Sequence, residues 1–387
     1  MERLVRVKQG LLVRFTNNGV HQNGFQDLAF STLCRHTKEG PVYFESNDFS
    51  KGGIQKILKE QPLKAGREYF PFPLKKAPEM AAQAIGRAVR LIRRHQASAN
   101  GYYSIFRRFF HHRDSKGREV FHPATAVRFG VTVTKGSGKG YFSFYHPDAG
   151  RLRVESVVEK ALELAGLASR AEAAVKPGIY ECIFSPRAFL ELIEPLRRHF
   201  DSSLTKDGKS VFSGLLKKKI FSDAFTLSDD VKHPGQFGVP FDAEGTPRPK
   251  VELIKKGILH GLLAEGHSTR GLLEHPFYPE NLVVEKGAFS LADLFKRIQK
   301  GIFISKIWYH TLVRESRMEV TGLATAGSLF IEKGRVRGRV LHLRYQDSLF
   351  SMLGSLAGAS REQLLLKDGE RGAALFPYLR VLRLRVV

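Results

Sequence analysis

From residue 125 onward the side chains alternate in character. Val127, Phe129, Val131 and Val133 are apolar, and Arg128, Gly130, Thr132 and Thr134 lie between them. A period of two sends successive residues to opposite faces of a strand, so this stretch has one face to bury and one to leave open. A glycine-rich turn at 135–140 leads into Tyr141, Phe142, Ser143 and Phe144, and the pair predicts a hairpin. This half of the chain must therefore build an antiparallel sheet. Residues 4–15 alternate more loosely, turn at Thr16-Asn17-Asn18-Gly19, and start back at Val20-His21-Gln22-Asn23. Asn and Gly suit that turn because both tolerate positive φ. A second strand pair is expected at 29–35 and 42–45, a helix at 52–65, and a proline-punctuated connection at 69–78.

Two segments switch to the helical period. In 79–95, Ala81, Ile85, Ala88, Val89 and Ile92 share one face, while Arg87, Arg90, Arg93 and Arg94 fall largely on the other. Val154, Val157, Val158, Ala161, Leu162 and Ala165 define a second amphipathic helix, expected to end at Gly166. The length of 387 residues is too great for one compact core and suits two domains. The break is placed at 166–178, giving domains 1–170 and 171–387. Beyond it a strand at 179–184 precedes a helix with Ser185 as N-cap and Pro186 in the first helical position. Phe189, Ile193, Leu196 and Phe200 stripe its inner face, and Pro195 should kink it. Ser290 caps a later helix with Asp293 three residues on, Leu291, Leu294 and Ile298 inward, and Gly301 as its stop. The expected class is α+β: an N-terminal α/β sandwich-like domain with an antiparallel sheet and amphipathic helices, then a β-rich, barrel-like C-terminal domain.

Composition narrows the partners. Sixty-two Lys and Arg against 38 Asp and Glu leave a net charge of +24, and residues 51–120 hold sixteen of those cations against five acids. Such an excess suits an acidic partner, nucleic acid, or simply a well-solvated surface. Tyr102, Tyr103, Phe106, Phe109 and Phe110 around Arg107 and Arg108 could stack on bases, but no nucleic-acid motif accompanies them. Arg87, Arg90, Arg94, Arg107 and Arg108 are the candidates for contact with a partner or an acidic surface. No apolar run could span a bilayer and no signal-peptide pattern opens the chain, so a cytoplasmic protein without a membrane is expected. Two cysteines, Cys34 and Cys182, rule out a disulfide scaffold and an all-cysteine zinc site.

Catalytic patterns are scarce. There is no Gly-x-Ser-x-Gly elbow, and Cys182 sits in an apolar strand pattern where a buried thiol is the default. The Gly-Ser-Gly-Lys-Gly run at 136–140 lacks the phosphate-loop spacing and joins two strands. His111-His112 is read as a solvated pair in a basic loop. His260, His267 and His275, with Glu265 and Glu274, are a remote metal candidate, since separations of seven and eight match no usual zinc spacing. Phe241-Asp242-Ala243-Glu244-Gly245-Thr246-Pro247 reads as a tight turn whose carboxylates bond backbone amides.

Taken in order, a series of short motifs resembles the TldD/TldE (PmbA) family. It comprises Arg14 to Asn23, Asp114-Ser115-Lys116-Gly117, Val211-Phe212-Ser213-Gly214, Phe225 to Asp230, and the turn at Phe241, Asp242, Glu244 and Gly245. It continues with Leu253-Ile254-Lys255-Lys256-Gly257-Ile258-Leu259, Gly301 to Ile304, Thr321-Gly322, and Leu329 to Gly334. The resemblance implies a cytoplasmic two-domain protein that works as a pair of related subunits. In the TldD type a His-Glu-x-x-x-His motif holds zinc, and its Glu activates a bound water for peptide hydrolysis. That motif would fall at Ile193 to Arg198, where only Glu194 matches, and no cysteine follows Cys182 to serve as the third ligand. The chain therefore resembles the TldE (PmbA) type, with no catalytic residue, no cofactor of its own, and zinc expected in the partner. The chain begins almost at the first hairpin, without the leading helix many members carry, a departure from the family pattern that bears on whether it pairs with a partner in the usual way.

The expected function is a non-catalytic subunit that joins a zinc-bearing TldD-type subunit, or a second copy of itself, around a chamber for unfolded peptides. Substrate in such a chamber would bind as an added strand. The alternatives are a nucleic-acid-associated protein like a DNA gyrase modulator, and a stand-alone divergent peptidase using the His260 region.

Overall fold

The computed structural model describes residues 2–37, 40–46, 67–242, 245–263, 279–325, 327–369 and 372–387. The helix expected at 52–65 lies outside the described residues. Six strands form the first sheet: β1 (Glu2–Thr16), β2 (Gly19–Thr37), β3 (Gly40–Ser46), β4 (Ser98–Arg113), β5 (Glu119–Lys135) and β6 (Gly138–His146). Their order is β3-β2-β1-β4-β5-β6, all antiparallel. Residues 29–35 do not start a new strand; they continue β2, which first returns along β1 and then pairs with β3.

The alternation at 127–133 works as the sequence requires. Val127, Phe129, Val131 and Val133 join Leu11, Val13, Phe15, Tyr103 and Ile105 beneath α1 (Ala77–Arg94) and α2 (Val154–Ala168). Ala81, Ile85, Ala88 and Ile92 face that core, and Arg87, Arg90, Arg93 and Arg94 are exposed. Gly166 lies inside α2 and does not end it, because the helix runs on until Ser169 bonds back to the Gly166 carbonyl.

His111 and His112 occupy β4, not a loop. His111 pairs with Glu119, and His112 is buried. Phe106, Phe109, Phe110 and Tyr103 are buried as well, so this aromatic run is sheet packing and not a stacking platform. The strand continues to residue 113 because β5 pairs with it throughout, which no local pattern could reveal.

The second sheet has thirteen strands: β7 (Gly178–Phe184), β8 (Leu227–Asp229), β9 (Val251–Lys255), β10 (Ile258–Leu259), β11 (Leu282–Val284), β12 (Lys300–Ile304), β13 (Lys306–Arg314), β14 (Glu319–Thr325), β15 (Leu329–Glu332), β16 (Arg335–Arg339), β17 (Leu343–Ser348), β18 (Leu356–Asp368) and β19 (Gly372–Val386). Its main path is β10-β9-β8-β11-β19-β7-β12-β15-β16, and β13, β14, β17 and β18 branch from β19. Among the described strand pairs of this sheet, β11–β19 and β12–β7 are parallel and the others antiparallel. Its core gathers Phe184, Phe189, Phe200, Phe212, Phe225 and Phe376. Among the described residues the helices after β7 are short, so the molecule is α+β with the second part dominated by strands. Among the described residues no helix is long and apolar enough to cross a membrane.

Candidate functional site

Ser185 and Pro186 open α3 (Pro186–Leu192) as the sequence predicts, with the Ser185 hydroxyl accepting from the Ala188 N–H at 3.1 Å. Pro195 has no N–H to continue the ladder, and the helix breaks into α4 (Glu194–Arg197) and a 3₁₀ turn, Arg198–Phe200. Phe189, Ile193, Leu196 and Phe200 enter the core. The other face, Glu191, Glu194, Pro195 and Arg198, forms one wall of a cleft of about 500 Å³. The facing wall is residues 307–312 of β13.

The charges on the helical wall are paired. Arg187 bonds Glu191, Arg197 Nη1 donates to Glu194 Oε2 at 2.9 Å, and Arg198 lies 3.7 Å from Glu315. Arg197 is itself buried and also bonds the Pro279 carbonyl.

β13 is held by His310, whose Nδ1 is 2.9 Å from the Tyr345 hydroxyl. Burial draws the His310 pKa down to about 4, opposed by the Leu192 carbonyl and the Glu194 carboxylate. The imidazole is therefore neutral at pH 7. Tyr345 reaches it across Gly322, where a Cβ would lie 2.2 Å from the tyrosine oxygen. Thr321 Oγ1 donates to the Tyr345 carbonyl at 2.9 Å, so the Thr321-Gly322 pair shapes the support of this wall. The β13–β14 register skips Trp308, which protrudes at 73% exposure beside exposed Tyr309.

Glu194, the motif position that the resemblance points to, lines the cleft. The flanking positions do not fit zinc: Ile193 is apolar and packed in the core, and Arg198 is a cation. Cys182 is buried in β7, and burial pushes its thiol pKa well up, against the thiolate a metal needs. His260 stands 3.8 Å from Glu252, and among the described residues no three His, Cys, Asp or Glu side chains gather as ligands. His267 and His275 lie outside the described residues.

The turn motif is elsewhere. Asp242 Oδ1 accepts from the Thr246 N–H at 2.9 Å, and Gly245 has φ +71° with a would-be Cβ 2.4 Å from His112 Nδ1. Phe241 packs on Phe110 and Val239, which fastens this turn to the first sheet. Glu244 lies outside the described residues.

The five arginines do not form one patch. Arg87, Arg90 and Arg94 lie on the outer face of α1, and Arg87 is 3.7 Å from Glu155 of α2. Arg107 and Arg108 point to opposite faces of β4. Arg107 donates to Gln9 at 2.9 Å, and Arg108 is only 7% exposed, so it offers no surface to a partner. No sequence pattern singles out Trp308, Tyr309, His310 or Tyr345. The alternation around residue 308 is broken by a bulge, and His310 meets Tyr345 only through strand pairing.

Residues 177–387 match the model of the PmbA/TldA metallopeptidase C-terminal domain. A protein of Methanothermobacter thermautotrophicus named "Metalloprotease" is 25% identical over 124 residues, which cover 29% of this chain and 27% of that protein's length. The fold matches TldE from Thermococcus kodakarensis at a TM-score of 0.82 and 19% identity, covering 100% of this chain and 96% of the other. It also matches a proposed modulator of a DNA gyrase from Thermotoga maritima, with TM-score 0.79, 15% identity, and 100% and 95% coverage. A similar protein from Bacteroides thetaiotaomicron gives 0.76 and 18%, with 100% and 94% coverage. The two-sheet architecture is shared over the whole chain and the family model spans more than half of it: the chain belongs to the PmbA/TldD family.

Proposed function

We propose that this chain is a TldE-type subunit, without metal or catalysis of its own, that completes a peptide-processing chamber with a zinc-bearing TldD-type subunit in the cytoplasm. One observation carries the reading. At the cleft, the family's acid position is filled by Glu194, but Ile193 is core and Pro195 breaks the helix, so Glu194 bonds Arg197 instead of facing a ligand set. A carboxylate in that setting has no metal-bound water to deprotonate.

The stand-alone peptidase reading rests on the His260 region, where His260 stands 3.8 Å from Glu252 and His267 and His275 lie outside the described residues. The buried Arg108 and the inward-packed aromatics of β4 weigh against the nucleic-acid reading.

The test is a gentle pull-down with a TldD-type subunit, zinc analysis of each purified chain, and cleavage of an unfolded peptide by each alone and both together. Cleavage only by the pair, with zinc only in the partner, supports the reading. A full equivalent of zinc in this chain, or no association under any condition, would overturn it.

A further inference from the structure

The first sheet turns one face to α1 and α2, and its other face carries a polar row that the helices do not explain. Strand pairing sets Ser104 of β4 opposite Arg128 of β5, and Arg128 opposite Tyr145 of β6. Their chain neighbours Ile105, Val127 and Phe144 pack beneath the helices, so by alternation these three point the other way. Adjacent strands lie about 4.8 Å apart, which stands one guanidinium between two hydroxyls within reach of a single small group. Along β5 the same face continues with Ala126 on one side of Arg128 and Gly130 on the other. The Tyr102 ring covers Gly130, 2.6 Å from a would-be Cβ. Ala373 of β19 packs on Ala126 and Tyr145, so the second sheet closes part of this face.

The row lacks something to bind. Ser104 is 2% exposed and its Oγ has no hydrogen-bond partner, a state that costs free energy. Arg128 is half-buried, and among the described residues its guanidinium meets a ring: its central carbon lies 5.3 Å from the centroid of Tyr102. Glu68 is a carboxylate whose charge reaches Tyr145, and it lies 3.5 Å from Arg67. Arg108, on the same face of β4, adds positive charge near the Tyr145 hydroxyl. Burial still pushes that hydroxyl up to about 12, so at pH 7 it keeps its proton and can donate it to an acceptor.

The donors define their ligand. Two guanidinium N–H groups and two hydroxyls offer four hydrogen bonds to an anion. Set in a row across three strands, they suit a flat group with two oxygens, each taking one N–H and one O–H. A third oxygen, as on phosphate, would meet the Ala126 methyl or the Tyr102 ring. We propose that Ser104, Arg128 and Tyr145 bind a carboxylate group, carried by a small organic acid or by the C-terminus of a peptide. The site belongs to the first sheet and stands whether or not the chain pairs with a TldD-type subunit.

The purified full chain is titrated by calorimetry at pH 7 with succinate, with acetyl-Val-Thr bearing a free C-terminus, and with the same peptide amidated. Saturable binding of succinate alone identifies a small acid as the source, and of the free-acid peptide alone a peptide terminus. Binding of both places the recognition in the carboxylate itself. The amidated peptide should bind at least about tenfold more weakly than its free acid, and Arg128→Met, with its fold checked by circular dichroism, should lose at least as much. Ser104→Ala and Tyr145→Phe should each weaken binding several-fold. Ser104→Ala removes a buried hydroxyl that nothing satisfies, so its thermal midpoint should equal or exceed that of the wild type, which a structural serine would not allow. Binding of neither acid, equal binding of the amidated peptide, or wild-type affinity in Arg128→Met overturns the proposal. So does tighter binding of inorganic phosphate than of either acid.

Discussion

Several motif glycines are required for clearance as well as for turning. Gly245 needs its left-handed φ of +71° and also the space that His112 occupies 2.4 Å from a would-be Cβ. Gly245→Ala should therefore cost about 2 to 3 kcal/mol, measurable as a lower urea midpoint at unchanged slope. The tight turn was legible because Asp-x-x-Gly-Thr is local chemistry. The clearance was not, since His112 is far away in sequence. His310 gives a second residue-scale expectation. Its folded pKa of about 4 lies below the ordinary 6.5, so between those values the unfolded chain binds a proton that the folded chain refuses. Stability should fall as pH drops from about 6.5 to 4, with His310 contributing on the order of 3 kcal/mol. Burial also lowers His146, His199 and His233, so the wild-type loss is shared. A His310→Asn variant should show a flatter decline over that window, and an identical pH profile would refute the assignment.

Secondary elements follow local rules wherever their caps and periods are strong. α5 (Ser202–Lys206) is short, and the next helix, α6 (Leu291–Lys296), opens with the reciprocal bonds of a capping box. Asp293 N–H donates to Ser290 Oγ at 3.1 Å, and the Ser290 N–H donates to Asp293 Oδ2 at 3.2 Å. Ser290→Ala should cost about 1 kcal/mol in thermal or chemical unfolding. The stop was misplaced: α6 ends at Lys296, well before Gly301, which begins instead to pair in β12 close to the Glu181 backbone. Sheet pairing there overrides the helical stop signal. The same competition hid the candidate cleft. Pro195 announced a broken helix, and the family resemblance pointed to Glu194, but the wall opposite is a strand whose two bulges spoil the period of two.

At the scale of the molecule, the alternation at 127–133 was enough to foresee an antiparallel sheet under two amphipathic helices. The branched order of the second sheet was not legible, because it joins strands far apart in sequence. The sheets are fastened by contacts of this distant kind, including Arg67, whose Nη1 donates to the Lys232 carbonyl at 3.3 Å, and Phe241 beside Phe110. Phe241→Ala should cost about 3 kcal/mol, and limited proteolysis should then find the 230–250 region more readily than in the wild type. β19 has a further consequence. It bonds β7, β11, β17 and β18, so the second sheet has no centre until residues 372–386 exist. The first sheet is complete by residue 146. During synthesis the front of the molecule can settle early, while everything from β7 onward waits with its apolar faces uncovered, and that interval is when a chaperone would matter most.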